Sequence, residues 1–236
     1  MSISDQFAAV ERRIAAACAA AQRPRRSVLL LAVSKTKPVQ DILAAVALGQ
    51  RAFGENYVQE ALPKIAALAG QALEWHHIGP IQSNKTADIA AHFDWAHGVD
   101  RLKIAQRLSA QRPATSAPLN ICVQVNVSGE ASKAGCEPAD TLALCRQLQA
   151  LPGLKLRGLM ALPAPLASGG DAHGPFRLLR HLFEQLQAEN MSVDTLSIGM
   201  SDDLEIAIAE GSTLIRVGSA LFGARPAGKT LTNPSS

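Results

Sequence analysis

The chain has 236 residues, 47% of them hydrophobic and 18% charged, with a formal net charge of +3 from 23 basic and 20 acidic side chains. That length accommodates one large α/β domain or two small ones, and the apolar content is too high for a disordered chain. Aromatic residues make up only 4% and the densest basic stretch is Arg23-Pro24-Arg25-Arg26, which excludes the stacking platforms and broad cationic patch of a nucleic-acid binder.

No apolar run reaches the ~20 residues needed to span a bilayer. Residues 1–6 lack the basic region and apolar core of a secretory signal, so none is expected. Cys18, Cys122, Cys136 and Cys145 show no C-x-x-C spacing, which argues against zinc and redox motifs and leaves reduced thiols in a cytoplasm as the expectation.

Strand-like apolar runs alternate with helical patterns along the chain. A helix is predicted over 5–21, and the first strand follows at 28–34, a charge-free run of the kind buried on both faces of a parallel sheet. Helical spacing over 38–48 ends at Gly49, and a short strand at 51–56 leads into a helix over 57–68. Further strands are predicted at 73–78, 95–99, 119–127, 154–162, 195–199 and 214–217, with helices over 84–92, 101–109, 138–149, 176–189 and 202–210. Eight βα units preceded by one extra helix imply a single (β/α)8 barrel, whose usual size is ~250 residues. An open doubly wound sheet competes, but the G-x-G-x-x-G turn expected after its first strand is missing. Residues 163–175, rich in Gly and Pro, read as a mobile loop. The domain is expected over 1–225, followed by a disordered tail over 226–236.

In such a barrel the working residues lie where strands end. Lys35 follows the first strand, anchored on rigid backbone at the rim of the core. Partial desolvation there favours a neutral amine, which forms a Schiff base with an aldehyde or ketone; the plain alternative is a lysine reaching to solvent. Arg216 lies inside the apolar run 214–217, so either an acidic residue or a ligand should face it. Were it to donate to a ring nitrogen, its charge would keep that nitrogen unprotonated. Gly199-Met200-Ser201 and Gly218-Ser219 follow the seventh and eighth strands, the usual place for a phosphate cradle in these barrels. Ordinary helix capping, with Asp202 and Glu205 as a capping box, accounts for the first of these loops equally well. Asn56 offers a side-chain donor, although asparagine is common in turns. His76 and His77 point to opposite faces of a strand and cannot readily share a metal, so a core role is expected, with Trp75 as packing.

Ala32-Val33-Ser34-Lys35-Thr36-Lys37-Pro38, Phe53-Gly54-Glu55-Asn56-Tyr57, Trp75-His76-His77-Ile78-Gly79-Pro80, Gly158-Leu159-Met160-Ala161 and Leu196-Ser197-Ile198-Gly199-Met200-Ser201, with Arg216-Val217-Gly218, together resemble the pyridoxal 5′-phosphate homeostasis proteins. That family is related to the N-terminal barrel of alanine racemase, and the resemblance runs from Phe7 to Arg225. It implies a type III pyridoxal phosphate (PLP) fold with the cofactor held as a Schiff base on Lys35. It further implies phosphate contacts at Ser201, Gly218 and Ser219, Arg216 facing the pyridine nitrogen, and Asn56 near the ring. His77 stands where the family has an aromatic residue, which would alter the pocket wall. The glycine-rich loop after Pro165 is longer than the family's.

The resemblance implies a role in vitamin B6 balance. Related racemases supply a second base, a tyrosine, from an additional domain, whereas the only tyrosine here is Tyr57. The expectation is a PLP carrier without efficient catalysis: a monomer, in transient contact with apoenzymes, binding neither nucleic acid nor membrane. A PLP-dependent amino-acid racemase or lyase is the alternative, and a class I aldolase using Lys35 is a third reading.

Overall fold

The computed structural model describes residues 2–129, 134–164 and 171–223. The tail expected over 226–236 and the centre of the expected loop, 165–170, lie outside the described residues. Eight strands, β1 (Leu29–Val33), β2 (Ala52–Glu55), β3 (Glu74–His77), β4 (Trp95–Val99), β5 (Leu119–Gln124), β6 (Leu154–Met160), β7 (Thr195–Ser197) and β8 (Leu214–Val217), pair in parallel in sequence order. β8 then pairs with β1 and closes the barrel. The outer ring comprises α2 (Val39–Ala47), α3 (Val58–Ala67), α4 (Thr86–His92), α5 (Leu102–Gln111), α6 (Thr141–Gln149), α7 (Gly174–Ala188) and α8 (Leu204–Ala209). The extra helix α1 (Ile3–Ala20) precedes them and a short α9 (Ser219–Phe222) follows.

Alternation of side chains along each strand creates two cores. Leu31 and Val33 of β1 join Ala52, Ile78 and Leu214 inside the barrel, where Trp95, Cys122 and Met160 form a second cluster. Leu30 and Ala32 join the layer between strands and helices. Both faces of β1 are therefore apolar, which is why its sequence shows no alternation. The expected fifth strand ends early, at Gln124. Val125 bridges Cys136, and the Cys136 and Asn126 amides donate to the Gln124 and Cys136 carbonyls, so the chain pairs with its own returning loop.

The register determines what meets at the barrel mouth. Val33 pairs with Gly54, and Ala32 with Val217. Continuing each pairing past the strand ends brings residue 35 beside residues 56 and 220, and residue 34 beside 219. Helix α1 begins at a capping box, with the Ser2 hydroxyl accepting from the Asp5 amide at 3.1 Å, and packs against α8 and α9. Its Arg13 grips Glu205 through two contacts of 2.7 and 2.8 Å and also donates to the Ser201 carbonyl at 2.8 Å. The capping box expected of Asp202 and Glu205 does not form. Helix α8 starts at Leu204, so Asp203 occupies the cap position and accepts from the Met200 amide at 2.5 Å, while Ile206 rather than Glu205 stands at the third helical position.

Candidate cofactor site

A cavity of about 690 Å³ opens at the C-terminal ends of the strands. Lys35, Asn56, Ser201, Arg216, Gly218 and Ser219, all six residues singled out from the sequence, line it. Lys35 continues the interior parity of Leu31 and Val33 and is half-buried. The neighbouring Lys37 does different work: its Nζ donates to the carbonyls of Phe222 at 2.8 Å and Gly223 at 3.1 Å, tying the β1 loop to the end of α9.

Lys35 is flanked by residues that a buried charge cluster immobilises. Lys64 on α3 lies 2.8 Å from Glu55 and 2.7 Å from Glu60, and donates to the Ser34 carbonyl at 2.9 Å. The Ser34 hydroxyl donates to Glu55 at 2.6 Å, and the Thr36 amide donates to Glu60. Thr36 adopts a left-handed φ of 64°, a conformation costly for a β-branched residue and sustained only where the surroundings enforce it. Burial pushes the Glu55 carboxyl above its ordinary value despite the ammonium beside it.

Of the two partners expected for Arg216, an acidic residue or a ligand, the first is not the one that holds it. It is buried, and its Nη1 donates to the carbonyl and hydroxyl of Ser197, both at 2.7 Å, while Nη2 donates to the Ala161 carbonyl at 2.8 Å. Among the described residues no carboxylate forms an ion pair with it. Burial draws its pKa down to about 10, so the guanidinium remains a cation at neutral pH. Asp203 acts on it only through space, without an ion pair, so no carboxylate is hydrogen-bonded to the guanidinium that faces the cavity.

The loops after β7 and β8 meet across the cavity from Lys35. Gly199 has φ 108°, and a Cβ there would fall 2.5 Å from the Ala207 Cβ, so only glycine lets the Met200-Ser201 loop pack down on α8. Gly218 occupies the cap position of α9; the Ser219 and Ala220 amides open that helix, where backbone N–H groups find no acceptor within the helix. Asp202 is exposed at the rim.

Asn56 lines the cavity, and its buried Oδ1 has no partner among the described residues. A buried amide oxygen normally finds a polar partner. An orphaned amide, a half-buried amine, a guanidinium without an ion pair and a serine-lined pair of loops in one cavity fit an anionic aldehyde with a heteroaromatic ring. Gly79 supports Asn56 from behind, since a Cβ there would stand 2.4 Å from the Asn56 carbonyl.

The two histidines do face opposite ways. His77 points outward, edge-on to Phe93 at 5.4 Å, and is absent from the cavity wall, so the change expected there does not arise. Its pKa is pushed down to about 4 by burial. His76 points into the barrel and stacks on Trp95 at 5.1 Å. Trp75 is packing, 5.8 Å from Phe53. Sequence reading passed over His97, Ser197, Lys64 and Glu60. For His97 a signal existed, since strand alternation puts it on the interior side with Trp95. For Lys64 and Glu60 none did, because an i,i+4 pair ordinarily reads as a solvated helix face.

The chain matches the family profile "Alanine racemase, N-terminal domain" over residues 6–226. It is 59% identical over 227 residues to the pyridoxal phosphate homeostasis protein of Pseudomonas aeruginosa, covering 96% of this chain and 97% of that one. Its structure resembles that of PipY from Synechococcus elongatus, solved without PLP (39% identity, 94% of this chain and 100% of that one, TM-score 0.82) and with PLP bound (40% identity, the same coverage, TM-score 0.79). Alanine racemase of Clostridium difficile, at 12% identity and TM-score 0.74 over 95% of this chain and 57% of its own, shares the barrel fold. No helix among the described residues is long and apolar enough to cross a membrane. The chain belongs to the pyridoxal phosphate homeostasis protein family, built on the alanine racemase N-terminal domain.

Proposed function

We propose that this protein binds pyridoxal 5′-phosphate covalently through Lys35 and serves intracellular vitamin B6 homeostasis as a carrier rather than an efficient enzyme. When bound, the cofactor supplies an aldehyde that condenses with a lysine amine, losing water, and a ring that absorbs near the visible edge. Lys35 presents the amine from a loop held on both sides by the Glu55–Lys64–Glu60 cluster. Ser201, Gly218 and Ser219 offer amides and hydroxyls to the phosphate. Arg216 faces the ring nitrogen and disfavours its protonation, and Asn56 contacts the ring substituents. The observation that carries the reading is the convergence of these six residues on one cavity, from loops brought together by barrel closure.

The carrier assignment rests on what the cavity offers a proton. Tyr57 is 56% exposed and does not line it, so no phenol stands opposite Lys35 to work the second face of a substrate carbon. Cys18, Cys122, Cys136 and Cys145 are free thiols, which supports a cytoplasmic setting. A monomer that meets apoenzymes transiently completes the proposal.

Absorbance of the PLP-treated protein tests the site. A band near the visible edge, lost in Lys35→Ala and retained in Lys37→Ala, is expected. Turnover of any L-amino acid at about 1 s⁻¹ or faster, a rate ordinary for enzymes, would overturn the carrier assignment.

A further inference from the structure

Behind Arg216 a line of polar groups runs down through the barrel interior. Ser197 Oγ, which accepts from Arg216 Nη1 at 2.7 Å, lies 2.9 Å from His97 Nδ1. His97 Nε2 lies 2.9 Å from His76 Nδ1, and His76 Nε2 lies 2.9 Å from Glu74 Oε1 near the opposite end of the barrel, a contact set off the ring N–H axis. Ser197, His76 and His97 are buried, and Trp95 packs against both imidazoles. Polar groups are costly in a barrel core unless each is satisfied.

The two ends decide the direction of every bond. Arginine can only donate, so the Ser197 hydroxyl hydrogen is left for His97 Nδ1. Neutral His97 then carries its proton on Nε2 and donates to His76 Nδ1. Neutral His76 in turn carries its proton on Nε2, facing the Glu74 carboxylate. The serine hydroxyl, both nitrogens of His97 and His76 Nδ1 are each used once, and His76 Nε2 keeps only its off-axis contact with Glu74. Reversing the order would strand the serine hydrogen. Burial favours the neutral form of both rings.

We propose that Ser197, His97 and His76 are positioning residues that hold Arg216 towards the cofactor ring without neutralising it; the proposal rests on the reading of Arg216 above. A carboxylate in the place of Ser197 would also anchor the guanidinium, but it would cancel the field that the ring nitrogen is to feel. A column of neutral dipoles anchors it and adds no negative charge to that of Asp203, which acts on it through space.

Nitrogen NMR of the imidazoles in the untreated full-length protein should find His76 and His97 neutral and protonated on Nε2. A ring protonated on Nδ1, or a cationic ring at neutral pH, would overturn the proposal without any variant being made. With PLP as probe, Ser197→Ala should weaken binding about tenfold, as expected for a lost bond to a charged group. It should also shift the absorbance band in the same direction as Arg216→Gln, and add little to Arg216→Gln when the two are combined. His97→Leu should behave like Ser197→Ala, and His97→Gln, whose amide can accept from Ser197 and donate to His76, should recover part of the loss. If Arg216→Gln shifts the band while Ser197→Ala leaves affinity and band unchanged, the column fails and the reading of Arg216 stands. If Arg216→Gln itself changes neither, both fall.

Discussion

Lys64 Nζ lies 2.8 Å from Glu55 Oε1, and this buried pair sits directly behind the loop that carries Lys35. Neither residue lines the cavity. Their influence on the site passes through Ser34, whose hydroxyl and carbonyl they share, and through Glu60, which takes the Thr36 amide.

Removing one partner should therefore harm both stability and the site. Lys64→Met leaves Glu55 buried without its cation, a loss of roughly 3–5 kcal/mol. For a chain of this size the melting temperature should fall by about 10 °C. Differential scanning calorimetry on the apoprotein measures it, and the double variant Glu55→Leu with Lys64→Met should recover part of the loss. An unchanged melting temperature in Lys64→Met would mean that the pair contributes nothing.

Acid should weaken the fold through His77. Its pKa is about 4 in the folded state, below the ordinary 6.5, so the unfolded chain binds more protons between those values. The stabilisation is complete above pH 6.5 and is lost as pH falls through that window, by about 2 kcal/mol at pH 5. Urea unfolding at pH 7.5 and pH 5 reads the difference. His77→Phe, which keeps a ring against Phe93, should flatten the slope, and an equally steep slope in that variant would assign the acid lability to other groups.

Gly79→Ala should disturb the site from outside it. The new methyl must displace the Asn56 carbonyl that lies 2.4 Å from its position, and backbone cannot yield as a flexible side chain can. A stability loss of roughly 2–3 kcal/mol with weakened PLP binding is expected. Titration by absorbance, alongside chemical denaturation, separates the two effects. Normal affinity in a folded variant would show that Asn56 tolerates displacement.

Arg13 joins α1 to the Ser201 loop through one side chain, yet it is only partly buried and Glu205 is exposed. Arg13→Leu should accordingly cost less than about 1 kcal/mol of stability. The loosened loop should nevertheless bind PLP roughly threefold to fivefold more weakly, while pyridoxal, lacking the phosphate, loses nothing. Equal losses for the two ligands would place the effect elsewhere.

The barrel and the six cavity residues were legible in the sequence because their signals are local. The apolar run at β1 announces a strand buried on both faces, and strand parity turns Lys35 inward with Leu31 and Val33. Arg216 stood out as a charge within an apolar run, although its partners did not: backbone carbonyls and one hydroxyl leave no compositional trace. The capping box of Asp202 and Glu205 does not form because α8 starts at Leu204, which leaves Asp203 at the cap and Glu205 free to meet Arg13, far away in the chain.

Periodicity, strand ends and motif order were sufficient to determine the eightfold βα plan and the residues that rim its mouth, since each follows from the chemistry of neighbours in the chain. Only the closed barrel decided that β8 lies beside β1, that Ser197 meets His97 across 100 residues, and that an apparent surface pair, Glu60 and Lys64, is drawn against Glu55. Closure and register choose those neighbours, and burial then raises a contact that is weak in water to one on which the fold depends.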